Sequence, residues 1–184
     1  MRSSILKFLC LIFLIIDVSS TIHQLEAEDF KDEGELRSRS AASNQKTVWL
    51  HEEESIQFGF EVLSKCNISL TNVVYSNDGS SDIIEFSVNG ITRGEFQTAG
   101  QSNGGYDWNV MRESGTIFNS VSVSAGQNIL TLNILSADSY GVEVDYILID
   151  DPNDFLEIDA GGKVTCCYIL SAFLVLVCSI INSK

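Results

Sequence analysis

Along the middle of the chain, apolar and polar residues alternate with a period of two. Ile56, Phe58, Phe60 and Val62 fall on one edge of a run while Gln57, Gly59 and Glu61 fall on the other, which is the pattern of a strand buried on one side. Comparable runs cover Ile68 to Tyr75, Ile83 to Asn89, Thr116 to Val123, Asn128 to Leu135 and Val142 to Ile149, with Gly, Asn, Asp and Ser between them. Ser124-Ala-Gly-Gln127 reads as the turn joining two of these strands, and Thr47-Val-Trp-Leu50 as a short strand that sends Trp49 into the core. No stretch of the middle keeps the period of a long helix. Six or more short strands separated by turn residues predict an all-β, antiparallel sandwich. Residues 31 to 46, polar and charge-dense with Glu33, Glu35, Arg37 and Arg39, read as a loop after the first strand.

The two ends break this pattern. Residues 1 to 20 run from Arg2 and Lys7 through an apolar core to Val18-Ser-Ser20, the order of a cleaved secretory signal. Residues 164 to 181 form an uncharged apolar stretch. It fits either a transmembrane helix or the hydrophobic tail of a lipid-anchor signal, with Gly161 among the small residues that precede it. The expected organisation is a signal over 1–20, a sandwich over 21–150, an acidic and glycine-containing stalk over 151–163 and an anchor over 164–181. That order places the domain in the secretory pathway, at the cell surface or in extracellular matrix, attached to membrane through its C-terminal segment.

Charge and cysteines narrow the partners. The 184 residues hold 25 acidic and 11 basic side chains, a net charge of −14. Such a chain has no basic footprint for nucleic acid, and its acidity favours cations. Of five cysteines, Cys10 lies in the signal and Cys166, Cys167 and Cys178 in the tail. Cys66 remains as the lone thiol of the exported domain, expected to be a buried apolar side chain. Asn67-Ile68-Ser69 is a glycosylation sequon, with Asn67 as the acceptor.

Catalytic chemistry finds little to work with. The histidines are His23 and His51 alone, no nucleophile elbow or zinc-protease helix motif occurs, and no carboxylate pair stands out by spacing; the expectation is that the protein is not an enzyme. Glu26-Ala-Glu28 is more informative, because residues two apart on a strand share a face and so offer two hard oxygen ligands. Asp145, a carboxylate inside the apolar run Val144-Asp-Tyr-Ile-Leu-Ile149, is the candidate third ligand.

Several short segments, in order, resemble carbohydrate-binding modules of families 6 and 35. They are Leu25-Glu-Ala-Glu-Asp-Phe30, Glu54-Ser-Ile-Gln-Phe-Gly-Phe60, Val74-Tyr-Ser-Asn77, Phe86-Ser-Val-Asn-Gly90, Gly104-Gly-Tyr-Asp-Trp108, Val123-Ser-Ala-Gly-Gln-Asn128 and Val144-Asp-Tyr-Ile147. The resemblance implies a jelly-roll β-sandwich and a structural calcium ion held by Glu26, Glu28 and Asp145. It also implies a sugar cleft where Tyr106 or Trp108 stacks on a pyranose ring, whose apolar C–H face suits the negative face of an aromatic. Family modules commonly place an amide-bearing Asn two residues before the calcium aspartate; this chain has Glu143 there, so Glu143 is the corresponding candidate for ligand contact. The expected function is a non-catalytic, lectin-like module engaging glycans or matrix components. The competing expectation is an acidic matrix or biomineral-matrix protein that binds cations rather than sugar.

Overall fold

The structure is a computed structural model describing residues 21–100, 108–151, 155–158 and 164–165. The expected signal, Tyr106, Gly161 and the apolar tail beyond 165 lie outside the described residues. In chain order the strands are β1 (Thr21–Glu26), β2 (Glu35–Ser38), β3 (Lys46–Leu50), β4 (Ser55–Val62), β5 (Cys66–Ser76), β6 (Ile83–Val88) and β7 (Ile91–Gln97). They continue with β8 (Arg112–Glu113), β9 (Phe118–Val123), β10 (Gly126–Ser136), β11 (Val142–Asp151), β12 (Phe155–Ile158) and β13 (Val164–Thr165). Single 3₁₀ turns follow β1 (Ala27–Asp29) and precede β3 (Ser43–Gln45).

The strands form two sheets whose pairings are all antiparallel. One runs β2-β3-β11-β5-β8, with β1 also on β11 and β9 also on β5; the other runs β13-β12-β4-β10-β6-β7. The all-β sandwich expected from the alternation is therefore observed. Ile56, Phe58, Phe60 and Val62 of β4 are buried, as are Leu130 and Leu132 of β10, while Gln57 and Ile129 face outward. Phe30 meets Phe58 across the core at 5.2 Å between ring centroids. Each such side chain contributes about 1.5–3 kcal/mol by leaving water.

Three expectations are corrected. The loop expected over 31 to 46 contains β2 and a 3₁₀ turn. Trp49 is on the outer face of its sheet, not in the core: Val48 and Leu50 are fully buried, so the residue between them must point the other way. Arg37 lies over its ring at 4.2 Å, His51 meets it edge-on at 4.2 Å, and its Nε1 donates to the Tyr140 carbonyl at 2.6 Å. Finally, Phe155–Ile158, within the expected stalk, pairs with β4 and extends the second sheet.

The central strand β11 changes step partway along. Val144 pairs with Tyr75 and Tyr146 with Val74, so Asp145 is the extra residue of a bulge. Val142 and Val144 are buried in the core before it, Ile147 and Ile149 after it. The bulge switches the parity of the strand and leaves Glu143 and Asp145 on the face opposite the core.

Candidate functional site

Two carboxylates on the back of a sheet would ordinarily sit in water, yet Glu143 and Asp145 are each only 1% exposed. Residues 39–45 cover them. This strap folds on itself through bonds from the Ala42 amide to the Arg39 carbonyl, from Gln45 to Ala42 and from Arg39 to Gln45. Asn44 and Gln45 take the left-handed backbone conformation, with φ of 49° and 58°, which an Asn tolerates better than most residues. The turn aims the Ser43 amide at the sheet. It donates to both oxygens of Asp145, at 3.1 and 3.0 Å, and the Ser43 hydroxyl donates to Glu26 Oε1 at 2.8 Å.

Beneath the strap the three expected metal ligands come together from separate elements. Glu26 ends β1 opposite Tyr146, next to Asp145. Glu28 arrives by a different route from the one expected: the strand stops at Glu26, and Glu28 belongs to the 3₁₀ turn, so the two-residue strand period does not place it. Burial drives the Asp145 carboxyl up to about 7, the two Ser43 bonds oppose this, and the charges of Glu26 and Glu28 push it further up. Glu28 is raised as well, by burial first and then by Glu26, against a bond from Asn44. Glu26 Oε2 and Glu28 Oε2 are buried with no hydrogen-bond partner. The three side chains do not close into a ready ligand set among the described residues; even so, orphaned oxygens and mutual repulsion are the condition that a hard divalent cation relieves.

Glu143 has a different environment. Its Oε2 accepts from Arg39 Nε at 2.7 Å and from the Thr47 hydroxyl at 2.7 Å, and its Oε1 accepts from Arg39 Nη2. It therefore does not offer itself to a ligand, as its position in the sequence had implied; it reaches the surface only through Arg39. The Arg39 guanidinium in turn lies 5.7 Å from the ring of the half-buried Trp108, within cation–π range. Beside them opens a cleft of about 530 Å³ lined by residues 38–40, 44–46 and Asn109. The strap forms most of its wall. Trp108 adjoins this region through Arg39 and through its chain neighbour Asn109. Arg39 is the residue that sequence reasoning missed, because its partner Glu143 lies 104 residues away.

A second polar cluster lies at the loop end, where Asp82 Oδ2 is buried without a hydrogen-bond partner among the described residues. There Asp138 accepts from the Ser80 amide at 2.7 Å, the Ser80 hydroxyl at 3.0 Å and the Tyr140 amide at 2.8 Å; these bonds outweigh its desolvation and lower its pKa. A Cβ at Gly79 would stand 2.1 Å from the Asp138 carboxylate, so any larger residue there has to displace that side chain from its bonds to Ser80 and Tyr140. Asn67 is exposed on β5. Cys66 is buried and free, and burial followed by contact with Asp151 pushes its thiol up to about 11, leaving it unreactive.

No protein-family model and no curated protein matches the sequence. Solved structures do match in fold. A family 35 carbohydrate-binding module from Clostridium thermocellum superposes with a TM-score of 0.54 at 23% identity, over 70% of this chain and 98% of that one. The family 35 module from Cellvibrio japonicus gives 0.53 at 16%, over 78% and 97%. An exo-β-1,3-galactanase from Phanerochaete chrysosporium, solved with galactose, gives 0.52 at 20% over 70% of this chain. The match spans only 29% of that enzyme's length. At these identities the likeness is one of architecture, and the fold of this chain is that of the family 35 carbohydrate-binding modules.

Proposed function

We propose that the domain is a non-catalytic carbohydrate-binding module of the jelly-roll type, working outside the cell and stabilised by calcium. The observation that carries this reading is the strap-walled cleft with Trp108 at its side, in a sandwich whose architecture sugar-binding modules share. An aromatic plane beside Asn, Gln and Ser side chains supplies the two things a pyranose needs: a surface for its C–H face and bonding groups for its hydroxyls. Glu26, Glu28 and Asp145 are the residues that would hold the calcium ion, whose charge would satisfy the orphaned oxygens and clasp β1 to β11. The strap bonds to these same carboxylates, so metal binding would stiffen one wall of the cleft.

Export through residues 1–20, retention through 164–181 with Gly161 as a candidate lipid-attachment point, and an N-glycan at Asn67 complete the proposal. A glycan array with and without a calcium chelator tests the central claim. Binding to a defined set of glycans, lost in Trp108→Ala and weakened by chelation, is the expected result. Salt-sensitive binding to calcium mineral with no glycan signal would favour the acidic-matrix role instead. Release of the protein from cells by a phosphatidylinositol-specific phospholipase is expected for the lipid anchor, and retention for a transmembrane helix.

A further inference from the structure

Asp82 stands just before β6 at the loop end, fully buried, with its carboxylate half satisfied. Oδ1 accepts from the Asp138 amide at 3.0 Å, while Oδ2 is buried with no hydrogen-bond partner among the described residues. Its backbone is tied on both sides to Thr98. The Asp82 amide donates to the Thr98 hydroxyl at 2.8 Å, and the Thr98 amide donates to the Asp82 carbonyl at 2.9 Å. Thr98 Oγ1 also accepts from Asn77 Nδ2 at 2.7 Å. One residue thus joins the β5–β6 loop, the end of β7 and the turn before β11.

The end of β7 is the neck of the segment that carries Trp108. Beside Thr98, the Ala99 amide donates to the Tyr75 hydroxyl at 2.9 Å, and the Ala99 carbonyl accepts from Arg112 Nη1 at 3.2 Å. Arg112 is paired with Tyr75 in the β5–β8 ladder. The chain between Ala99 and Arg112, with Trp108 and the cleft residue Asn109, therefore leaves and re-enters the fold at one point. Asp82 anchors the leaving side.

The surroundings of Asp82 favour its neutral form. Burial raises its carboxyl to about 6, the Asp138 amide opposes this, and the charge of Asp138 adds to it. Asp138 stays ionised, because its own burial is outweighed by the bonds from Ser80 and Tyr140. Of the other ionisable groups on the elements packed there, Asp78 shares the loop, while Tyr75 of β5 and Arg112 of β8 are engaged by Ala99. An ionised Asp82 keeps one oxygen out of water beside a second carboxylate, and gains hydration only when the loops part.

We propose that Asp82 is a positioning residue for the segment that carries Trp108: its neutral carboxyl lets the three connections close, its ionised form drives them apart, and glycan binding is stronger at mildly acidic pH. This rests on the carbohydrate-binding reading and adds a control to it. Closed, Asp82 keeps its proton up to about 6; opened into water, only up to the ordinary ~4. Closure is therefore favoured fully below about 4, and that advantage is lost as pH rises through about 6.

The test follows Trp108 fluorescence of the full exported protein from pH 5 to pH 8 in a Trp49→Phe background, and again with Asp145→Asn, which removes the other strongly raised carboxyl. A transition near pH 6 is expected in both. It should be absent in Asp82→Asn, where an amide stands for the neutral acid and holds the closed form throughout. The carboxyl-carbon NMR shift of Asp82 reads the same midpoint without any variant. Glycan affinity is expected to fall at least about threefold from pH 5 to pH 8 in wild type and to stay at its pH 5 level in Asp82→Asn. Thr98→Val, which breaks the tie without touching a charge, should weaken binding at both pH values.

An NMR midpoint near 4, or a fluorescence transition that survives in Asp82→Asn or vanishes in Asp145→Asn, would overturn the clasp. So would a transition that added calcium abolishes in Asp145→Asn, since Asp82 would then be a metal ligand. Equal glycan binding at both pH values without an Asp82-dependent transition overturns the inference and spares the carbohydrate reading. An intact transition with no glycan bound at either pH overturns the carbohydrate reading and leaves the clasp.

Discussion

Glu143 and Asp145 stand two residues apart on one strand, on the same face, equally buried under the same strap. Their situations are opposite. Glu143 has its counter-charge within the chain, in Arg39, and a hydroxyl from Thr47 besides. Asp145 has one backbone amide and two negative neighbours, and its carboxyl is driven up to about 7. The contrast distinguishes a finished ion pair from an unfinished site. A buried carboxylate with no counter-charge beside it among the described residues is where the proposal places the calcium ion.

The largest expected effect lies on the finished side. Arg39→Ala leaves Glu143 buried and unpaired and is expected to cost about 3–5 kcal/mol, measured by chemical denaturation and unchanged in size by calcium. Next comes the unfinished side: calcium at about a hundred times its dissociation constant is expected to add about 2.7 kcal/mol. Asp145→Asn should abolish that gain while raising the stability of the metal-free protein, because the amide removes one of three repelling charges. An unchanged melting temperature with calcium would break the comparison.

The third effect is a pH dependence. A carboxyl whose folded pKa is raised above its unfolded value stabilises the protein fully below the unfolded pKa, and that stability is lost as pH rises through the folded one. For Asp145 the window runs from about 4 to about 7. Asp82, raised to about 6 by burial and the nearby Asp138 against a backbone bond, acts in the same direction. Metal-free protein should therefore melt higher at pH 5 than at pH 8, with a smaller difference in Asp145→Asn. The smallest effect is expected from Arg37→Ala, which removes an exposed cation–π contact with Trp49 worth about 0.5–1 kcal/mol.

What the sequence disclosed follows from how each element is buried. β4 and β10 pack one face on the core, so their alternation is clean and their positions were legible. β7 was not, because Ile91–Gln97 is an edge strand with exposed or half-buried residues throughout. The Asn89-Gly90 turn before it, with φ of 52° and 76°, was the available hairpin signal. β2 lies at the other sheet's edge and was equally silent. In the site, Glu26, Glu28 and Asp145 were legible as carboxylates that act on one another across the sequence, although the two-residue strand period offered for Glu28 is not what places it. Trp49 was misplaced because a large aromatic between two core residues looks apolar in composition while its parity points outward. The role of Arg39 depends on a contact 104 residues away, which no local pattern encodes.

The irregular step at Asp145 makes the facing of the middle strand depend on one residue standing outside the regular pairing. Were Asp145 taken up into regular pairing, strict alternation would turn over everything downstream on β11, sending Ile147 and Ile149 outward and drawing Leu148 inward. A second residue inserted beside it would have the same effect, whereas its deletion would keep the greasy interior in place and remove only a carboxylate from the outer face.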